Sequence, residues 1–255
     1  MSKITEKVVL QLLLGNLTEH KLLCPSESTY RAHHSTQTAF FKITNDILLA
    51  LDSGSVSLLT LWDLSAAFDT IYLCILLNRF QHMYGISGIS WFSSYLTNRT
   101  QSVIVNDHIS QVSSLSFGVP QVSVLGPVLF ILCTKPLSDW IQCHSIESQS
   151  FADDTQLQIS VPPLNIQSAI SSLETCLSDI QTWMLENKLT PNNDKTETLL
   201  LRSTSKSFSV GKPTTISVCG CEIYFSSSAK NLGFFITDDM SIVLAHKERL
   251  PISLP

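Results

Sequence analysis

The sequence predicts an α+β fold, and three observations carry that expectation. Apolar residues recur at helical spacing in some stretches and as short strand-like runs in others. The two patterns do not alternate strictly, as they would in a doubly wound parallel sheet. And 255 residues, 44% hydrophobic and only 15% charged, can bury a sizeable core, which excludes a disordered, highly charged chain.

Taken in order, Ile4, Val8, Leu12 and Leu13 form a helical stripe near the start. A second helix is expected over Thr38–Leu51, with Phe40, Ile43, Ile47 and Leu51 on one face and Asp52-Ser53-Gly54 as its stop. Val56–Asp63 reads as a buried strand. Helical spacing returns at Ile71, Ile75, Leu76 and Phe80, with a turn at Gly85. Gln101–Val105 and Gln111–Leu115 flank the turn pair Asn106-Asp107 and predict a hairpin. Gly118-Val119-Pro120 ends it, and Val128–Leu137 follows as a buried helix. Ser148–Ala152 and Thr155–Ser160 read as short strands around Asp153-Asp154, closed by Val161-Pro162-Pro163. The clearest helix is Ile166–Leu185, with Ile166, Ile170, Leu173, Leu177, Ile180 and Met184 on one face. Short strands follow near Thr198–Leu201, Ile216–Val218 and Ile223–Phe225.

A net charge of −5 removes bulk attraction to phosphate, so any contact with nucleic acid must be local. Between Lys42 and Lys135 only Arg79 and Arg99 are basic, which is thin for a primer–template groove. Seven cysteines, an odd number with no Cys-x-x-Cys and an isolated Cys219-Gly220-Cys221, indicate neither a disulfide framework nor a zinc site. The longest apolar run, Val124–Cys133, is cut by Gly126-Pro127 and falls short of the ~20 residues a spanning helix needs. An intracellular protein without membrane contact is expected; nucleus or cytoplasm, and oligomeric state, stay open.

Three carboxylates stand out. Asp63 ends a buried apolar strand, where it is poorly solvated and needs a partner; Asp153 and Asp154 sit at the expected hairpin tip. Carboxylates about 4 Å apart repel by around 4 kcal/mol at an effective dielectric of 20, and a divalent cation relieves that repulsion. Oxygen-only ligands suit Mg²⁺. Asp-Asp pairs also serve as plain turns, and Asp238-Asp239 is an internal example with nothing else around it to suggest a site.

The words around these carboxylates discriminate. Leu61-Trp62-Asp63-Leu64-Ser65-Ala66-Ala67-Phe68-Asp69-Thr70, then Gly118-Val119-Pro120-Gln121-Val122-Ser123-Val124-Leu125-Gly126-Pro127, then Phe151-Ala152-Asp153-Asp154 occur in that order. Tyr30-Arg31 with His34-Ser35-Thr36, Asn187-Lys188-Leu189 with Asp194-Lys195-Thr196-Glu197, and Asn231-Leu232-Gly233 complete the set. Together they resemble the reverse transcriptase domain of LINE-type (non-LTR, jockey-like) retrotransposons, over roughly residues 1–240.

The resemblance implies a palm-and-fingers polymerase fold, its thumb missing or truncated, with partial fingers at 1–55, a palm with fingers insertions at 56–240 and a divergent tail at 241–255. It implies RNA-directed DNA synthesis: an RNA template, a DNA primer, deoxynucleoside triphosphates and two Mg²⁺ ions, with Mn²⁺ as a substitute. Asp63 and Asp153 would ligate the metals with Asp154 beside them; adjacent strand residues face opposite ways, so the pair should not play equal roles. Asp69 has a helix-start alternative. Phe68 would exclude a ribonucleotide 2′-hydroxyl by shape, or is a core phenylalanine. Arg31 would contact the triphosphate, or is a surface arginine. Lys195 would neutralise or protonate the leaving pyrophosphate, or is a solvated turn lysine. Gln121 and Ser123 would line the nucleotide and template path, or are ordinary loop residues.

Departures from the family pattern point to a partial, somewhat degenerate copy, and to an alternative in which the chain is an inactive remnant that at most binds RNA or a partner. Val122 stands where the family has Gly, and a β-branched residue at positive φ carries strain of about 1–2 kcal/mol. Ile71-Tyr72-Leu73 replaces Val-Asp-His, and Ala32-His33 replaces Pro-Gly.

Overall fold

The computed structural model describes residues 3–29, 31, 33–65, 67–120, 122–203, 213–218 and 220–244. The first half runs α1 (Lys3–Glu19), α2 (Thr36–Asp52), β1 (Val56–Trp62), β2 (Leu64–Ser65), α3 (Leu73–His82), α4 (Ile89–Leu96), β3 (Arg99–Gln101), β4 (Ile104–Val105), β5 (His108–Ile109) and β6 (Ser113–Leu115). The second half runs α5 (Gly126–Cys143), β7 (Glu147–Phe151), β8 (Asp154–Val161), α6 (Ile166–Glu186), β9 (Thr190–Pro191), β10 (Glu197–Leu201), β11 (Thr215–Val218), β12 (Cys221–Tyr224), β13 (Ser228–Asn231), β14 (Phe234–Thr237) and β15 (Ile242–Leu244). The chain divides into two compact units, one of residues 1–24, 66–136 and 185–190, the other of residues 25–65, 137–184 and 191–255.

The larger unit is built on an antiparallel sheet in the order β10-β1-β8-β7. β1 has a strand on each side, and all seven of its residues are buried, as its unbroken apolar pattern requires. Its two polar members are satisfied across the sheet. Thr60 pairs its hydroxyl with that of Thr198 at 3.0 Å, and Ser57 with Ser160 at 2.7 Å. Leu59, Leu61, Leu199 and Leu201 pack against Phe40, Ile43, Ile47 and Leu51 of α2 and against Ala229 and Ile236. Phe40 stacks on Phe234 at 4.2 Å between ring centroids. Burying one such side chain contributes roughly 1.5–3 kcal/mol, so this layer fixes β1, the inner strand that runs out at Asp63.

Local signals explain the ends of α2. Ser35 and Thr38 form a reciprocal capping box, and Gly54, at φ +89°, takes the left-handed conformation that stops the helix. In α6 the residues Ile166, Ile170, Leu173, Leu177, Ile180 and Met184 are all buried, as expected.

In the smaller unit Phe80 and Phe92 join α3 to α4 edge to face at 4.8 Å. α5 runs through Pro136, which cannot donate to the carbonyl of Leu132. The Tyr84 hydroxyl takes that carbonyl instead at 2.7 Å, which allows the helix to extend past the Leu137 end the sequence suggests. The expected hairpin is two nested pairs, β3–β6 and β4–β5, with Asn106 (φ +46°) and Asp107 (φ +65°) both left-handed at the tip.

The expected helical stripe near the start lies in α1, where Leu13 is buried with Glu6 and Leu17 while Ile4, Val8 and Leu12 are exposed. One expectation needs correction: the carboxylate hairpin is shifted by one residue. Phe151 pairs with Asp154, so the turn is Ala152-Asp153 and Asp154 opens β8. α4, β13, β14 and β15 had no sequence expectation. The cysteines described, Cys24, Cys74, Cys133, Cys143, Cys176 and Cys221, are in no disulfide. No helix among the described residues is long and apolar enough to cross a membrane.

Candidate active site

The site in the larger unit begins where β1 runs out. Trp62 pairs with Thr155, and one further step of the register sets Asp63 opposite Asp154. Antiparallel Cα atoms at such positions lie about 4.5–5.5 Å apart. Asp63 is half-buried and held from below by the segment preceding β10. Asn192 donates its side-chain N–H to Asp63 Oδ2 at 3.0 Å and its backbone N–H to the Asp63 carbonyl at 3.0 Å. A single 3-10 turn, Asn193–Lys195, then brings Lys195 Nζ to 3.4 Å from Asp63 Oδ2. That lysine is 71% exposed, so the pair adds little to stability; its value is where it puts a positive charge.

Asp154 has the perturbed electrostatics of the group. Loss of water around its carboxyl, then repulsion from Asp153 and from Asp63, push its pKa up to about 6, against the pull of Lys195. The residue as a whole is exposed, so burial does not act alone and its two acidic neighbours contribute to the rise. Asp63, Asp154 and Lys195 line one cleft of about 320 Å³, with Lys230 and Asn231 of β13 on its wall. The buried side-chain nitrogen of Asn231 has no hydrogen-bond partner.

Asp153 follows Ala152 in the turn. Ala152 is left-handed, φ +58°, at the first position of a two-residue loop, a conformation that glycine adopts more easily. Asp238-Asp239, the comparison pair, does make a turn: Asp239 accepts from Thr237 and from the Ser241 backbone. Arg31 lies in the same unit, half-buried, with Nη1 reaching the Pro25 carbonyl at 3.4 Å and its charge acting on Glu27.

The smaller unit holds the remaining residues. Phe68 is half-buried with its ring 4.9 Å from that of Phe130, so it is part core and part surface. The backbone beside it is tightly docked: Val119 donates to the Phe68 carbonyl at 2.9 Å and Gly118 to Ile71 at 2.8 Å. A Cβ on Gly118, at φ +75°, would stand 2.9 Å from Asp69 Cα and O, so only glycine fits. Ser123 spends its hydroxyl on structure. It donates to the Pro120 carbonyl at 2.6 Å and accepts the Gly126 N–H at 2.8 Å, capping α5. Gln121 lies outside the described residues. Val122 is at φ +57° and 90% exposed, the left-handed conformation that its replacement of a glycine implies. Arg79 and Arg99, the basic residues of this stretch, are spent on internal bonds: Arg79 to the Cys133 carbonyl and to the Asn187 side-chain oxygen, Arg99 to the carbonyls of Leu96, Phe117 and Gly118.

The family model described as reverse transcriptase (RNA-dependent DNA polymerase) matches residues 1–236. The chain belongs to the reverse transcriptase family. It is similar to two Drosophila melanogaster proteins: the probable RNA-directed DNA polymerase from transposon BS, 27% identical over 77% of this chain and 22% of that protein, and the RNA-directed DNA polymerase from mobile element jockey, 25% identical over 72% and 20%. It therefore spans about a fifth of the length of these relatives and corresponds to a LINE-type reverse transcriptase domain. Among solved structures, apo telomerase from Candida tropicalis truncated from its C-terminal domain matches with a TM-score of 0.63 at 14% identity, over 94% of this chain and 45% of that one. Candida tropicalis telomerase in complex with a fragment of telomeric RNA matches with a TM-score of 0.61 at 13% identity, over 96% of this chain and 38% of that one. The fold of the reverse transcriptase domain is thus palm-and-fingers.

Among the described residues no group of three or more His, Cys, Asp or Glu side chains is arranged as a ready metal cage. Crowded aspartates with oxygen donors only fit Mg²⁺ all the same, because that ion is usually held by one or two carboxylates and completed by water and substrate phosphates. Three residues escaped the sequence reading: Asn192, which holds Asp63, and Glu27 and Thr29, which meet the Ala152 turn. Asn192 lies three residues before Lys195 in a recognised block, and that spacing was the available signal. Glu27 and Thr29 gave none.

Proposed function

We propose that this domain catalyses RNA-directed DNA synthesis by two-metal nucleotidyl transfer. The observation that carries the reading is the convergence of Asp63, Asp154 and Lys195 on one cleft, with Asp153 in the adjoining turn. In the reaction the primer 3′-hydroxyl oxygen bonds to the α-phosphorus of a deoxynucleoside triphosphate. The bond to the β-phosphate oxygen breaks, pyrophosphate leaves and the hydroxyl proton passes to water. Asp63 and Asp153 would hold two Mg²⁺ ions, or Mn²⁺, which when bound supply the Lewis acidity that activates the hydroxyl and stabilises the leaving group. Asp154, crowded by both, adds negative charge beside them. Lys195, held at Asp63 and largely exposed, faces the cleft with a cation for the pyrophosphate. Arg31 would offer its guanidinium to the triphosphate; the roles of Phe68 in screening the sugar and of Gln121 and Ser123 along the template path rest on the family resemblance alone. RNA template, DNA primer and nucleotides are the partners this reading requires.

Oligo-dT-primed poly-rA with dTTP and Mg²⁺ tests the reading: extension is expected, and Asp153→Ala must abolish it. Extension that survives this substitution overturns the assignment. Val122 favours a second reading, an inactive remnant that retains RNA affinity, since its methyl groups project from a loop that glycine would leave clear. No extension by the wild type, with extension by Val122→Gly, selects that reading.

A further inference from the structure

Below the carboxylate hairpin runs a segment that the proposed reaction does not use. Ser26–Thr29 lies along β7 as a parallel edge: Ser150 donates to the Ser26 carbonyl at 2.8 Å and Ser28 to the Ser150 carbonyl at 3.0 Å. Gln149 locks this pairing, with its amide on the Ser26 carbonyl at 2.7 Å and on the Ser28 hydroxyl at 2.8 Å. Lys42 of α2 holds the other end of the same amide at 2.8 Å. The segment is therefore fixed at both ends before it reaches the turn.

Its last residues meet the turn directly. The backbone N–H of Ala152 donates to the Thr29 hydroxyl at 2.6 Å and lies 3.4 Å from Glu27 Oε1. Thr29 in turn donates its backbone N–H to Glu27 Oε1 at 2.8 Å, and its side chain bonds the same carboxylate. Glu27 is 5% exposed, a costly place for a carboxylate unless its hydrogen bonds are needed. What they hold is a residue in an unfavourable backbone conformation. A left-handed alanine persists only where its surroundings over-determine it, and the N–H to Thr29 to Glu27 chain does so.

We infer that Thr29, backed by Glu27, is a positioning residue that fixes the Ala152 turn and so the placement of the Asp153 carboxylate. The inference rests on the proposed role of Asp153 as a metal ligand. The Thr29 hydroxyl is the only atom of that side chain the mechanism of positioning uses, which sets serine apart from the near-isosteric valine.

The test uses the whole chain. Amide hydrogen exchange is followed at Ala152, and Mn²⁺ binding is titrated by the loss of its free electron spin resonance signal. Thr29→Val should speed exchange at Ala152 at least tenfold and weaken Mn²⁺ binding about fivefold. Thr29→Ser, which keeps the hydroxyl, should match wild type in both. Unchanged protection in Thr29→Val overturns the inference, and so does lost protection with unchanged Mn²⁺ affinity. If Thr29→Val does not melt cooperatively, the smaller Thr29→Ala is measured in its place. A wild type that binds no Mn²⁺, or binds it equally well with Asp153→Ala, brings down the metal reading and the inference with it. Wild-type binding sensitive to Asp153 but indifferent to Thr29 brings down the inference alone.

Discussion

Ala152 and Val122 share one backbone conformation, φ +58° and +57°, in two different units of the molecule. Around Ala152 the residue is small, the turn needs the conformation, and Thr29 satisfies the amide at 2.6 Å. Around Val122 the residue is β-branched and 90% exposed, and the turn is closed through the following residue, whose backbone N–H and hydroxyl both meet the Pro120 carbonyl, at 3.4 and 2.6 Å. The same conformation is held at its own amide in one place and falls on an exposed β-branched residue in the other. The carboxylates of the proposed metal site thus sit on a braced scaffold, while the Val122 loop carries a β-branched residue where its left-handed geometry favours glycine.

The largest test of this contrast removes the chemistry without loosening the scaffold. Asp63→Asn should cut nucleotide incorporation by about three orders of magnitude, the scale seen when a group acting on the transition state is lost. Its melting temperature should stay close to wild type, because Asn can still accept from Asn192. A large drop in stability would show that Asp63 braces the sheet and does not merely use it. The counterpart in the smaller unit is Gly118→Ala, which changes no chemical group. Its Cβ would meet the Asp69 backbone at 2.9 Å and add left-handed strain, so urea denaturation should register a loss of about 2–4 kcal/mol.

A gentler probe is pH. The Asp154 carboxyl titrates at about 6 in the folded protein and near 3.9 when unfolded, so between these values the folded state keeps a proton the unfolded state has released. Stability from this group is therefore full below about pH 4, falls as pH rises toward 6, and stays lost above it. Urea midpoints in metal-free buffer should decline across that window in the wild type and decline less in Asp154→Asn. An identical decline in both would mean that the crowding by Asp153 and Asp63 has no thermodynamic consequence.

The sequence exposed the carboxylates because Asp63 ends an apolar run and Asp153-Asp154 sit between two strand-like stretches, each inside a recognisable word. It exposed the core helices α2 and α6 because their periods are long and clean. What it could not expose is long-range hydrogen bonding. Glu27 and Thr29 precede the turn they hold by more than a hundred residues, and a glutamate followed by serine and threonine reads as surface loop. The one-residue shift of the carboxylate hairpin has a similar cause: an alanine gives no hint that it will take a left-handed turn position, and only the Phe151–Asp154 pairing reveals it. The outward face of α1 was hidden because burial depends on Leu17 and on Glu6, whose carboxylate accepts the Val124 N–H at 2.7 Å from far along the chain.

The smallest expected effect bears most directly on the comparison. Val122→Gly removes left-handed strain of about 1–2 kcal/mol but returns about 0.5–1 kcal/mol through the freer unfolded chain, leaving a gain of roughly 0.5–1 kcal/mol. Thermal melting should rise by about 2 °C for a chain of this size. The parallel change, Ala152→Gly, should gain less, because alanine has a smaller side chain to relieve and its amide is already satisfied by Thr29. If the two substitutions prove equal, the conformation itself sets the cost and the bracing by Thr29 contributes nothing. If Val122→Gly alone stabilises, the β-branched side chain is the weak point, and the gain should appear without any change in Mn²⁺ binding at the carboxylates.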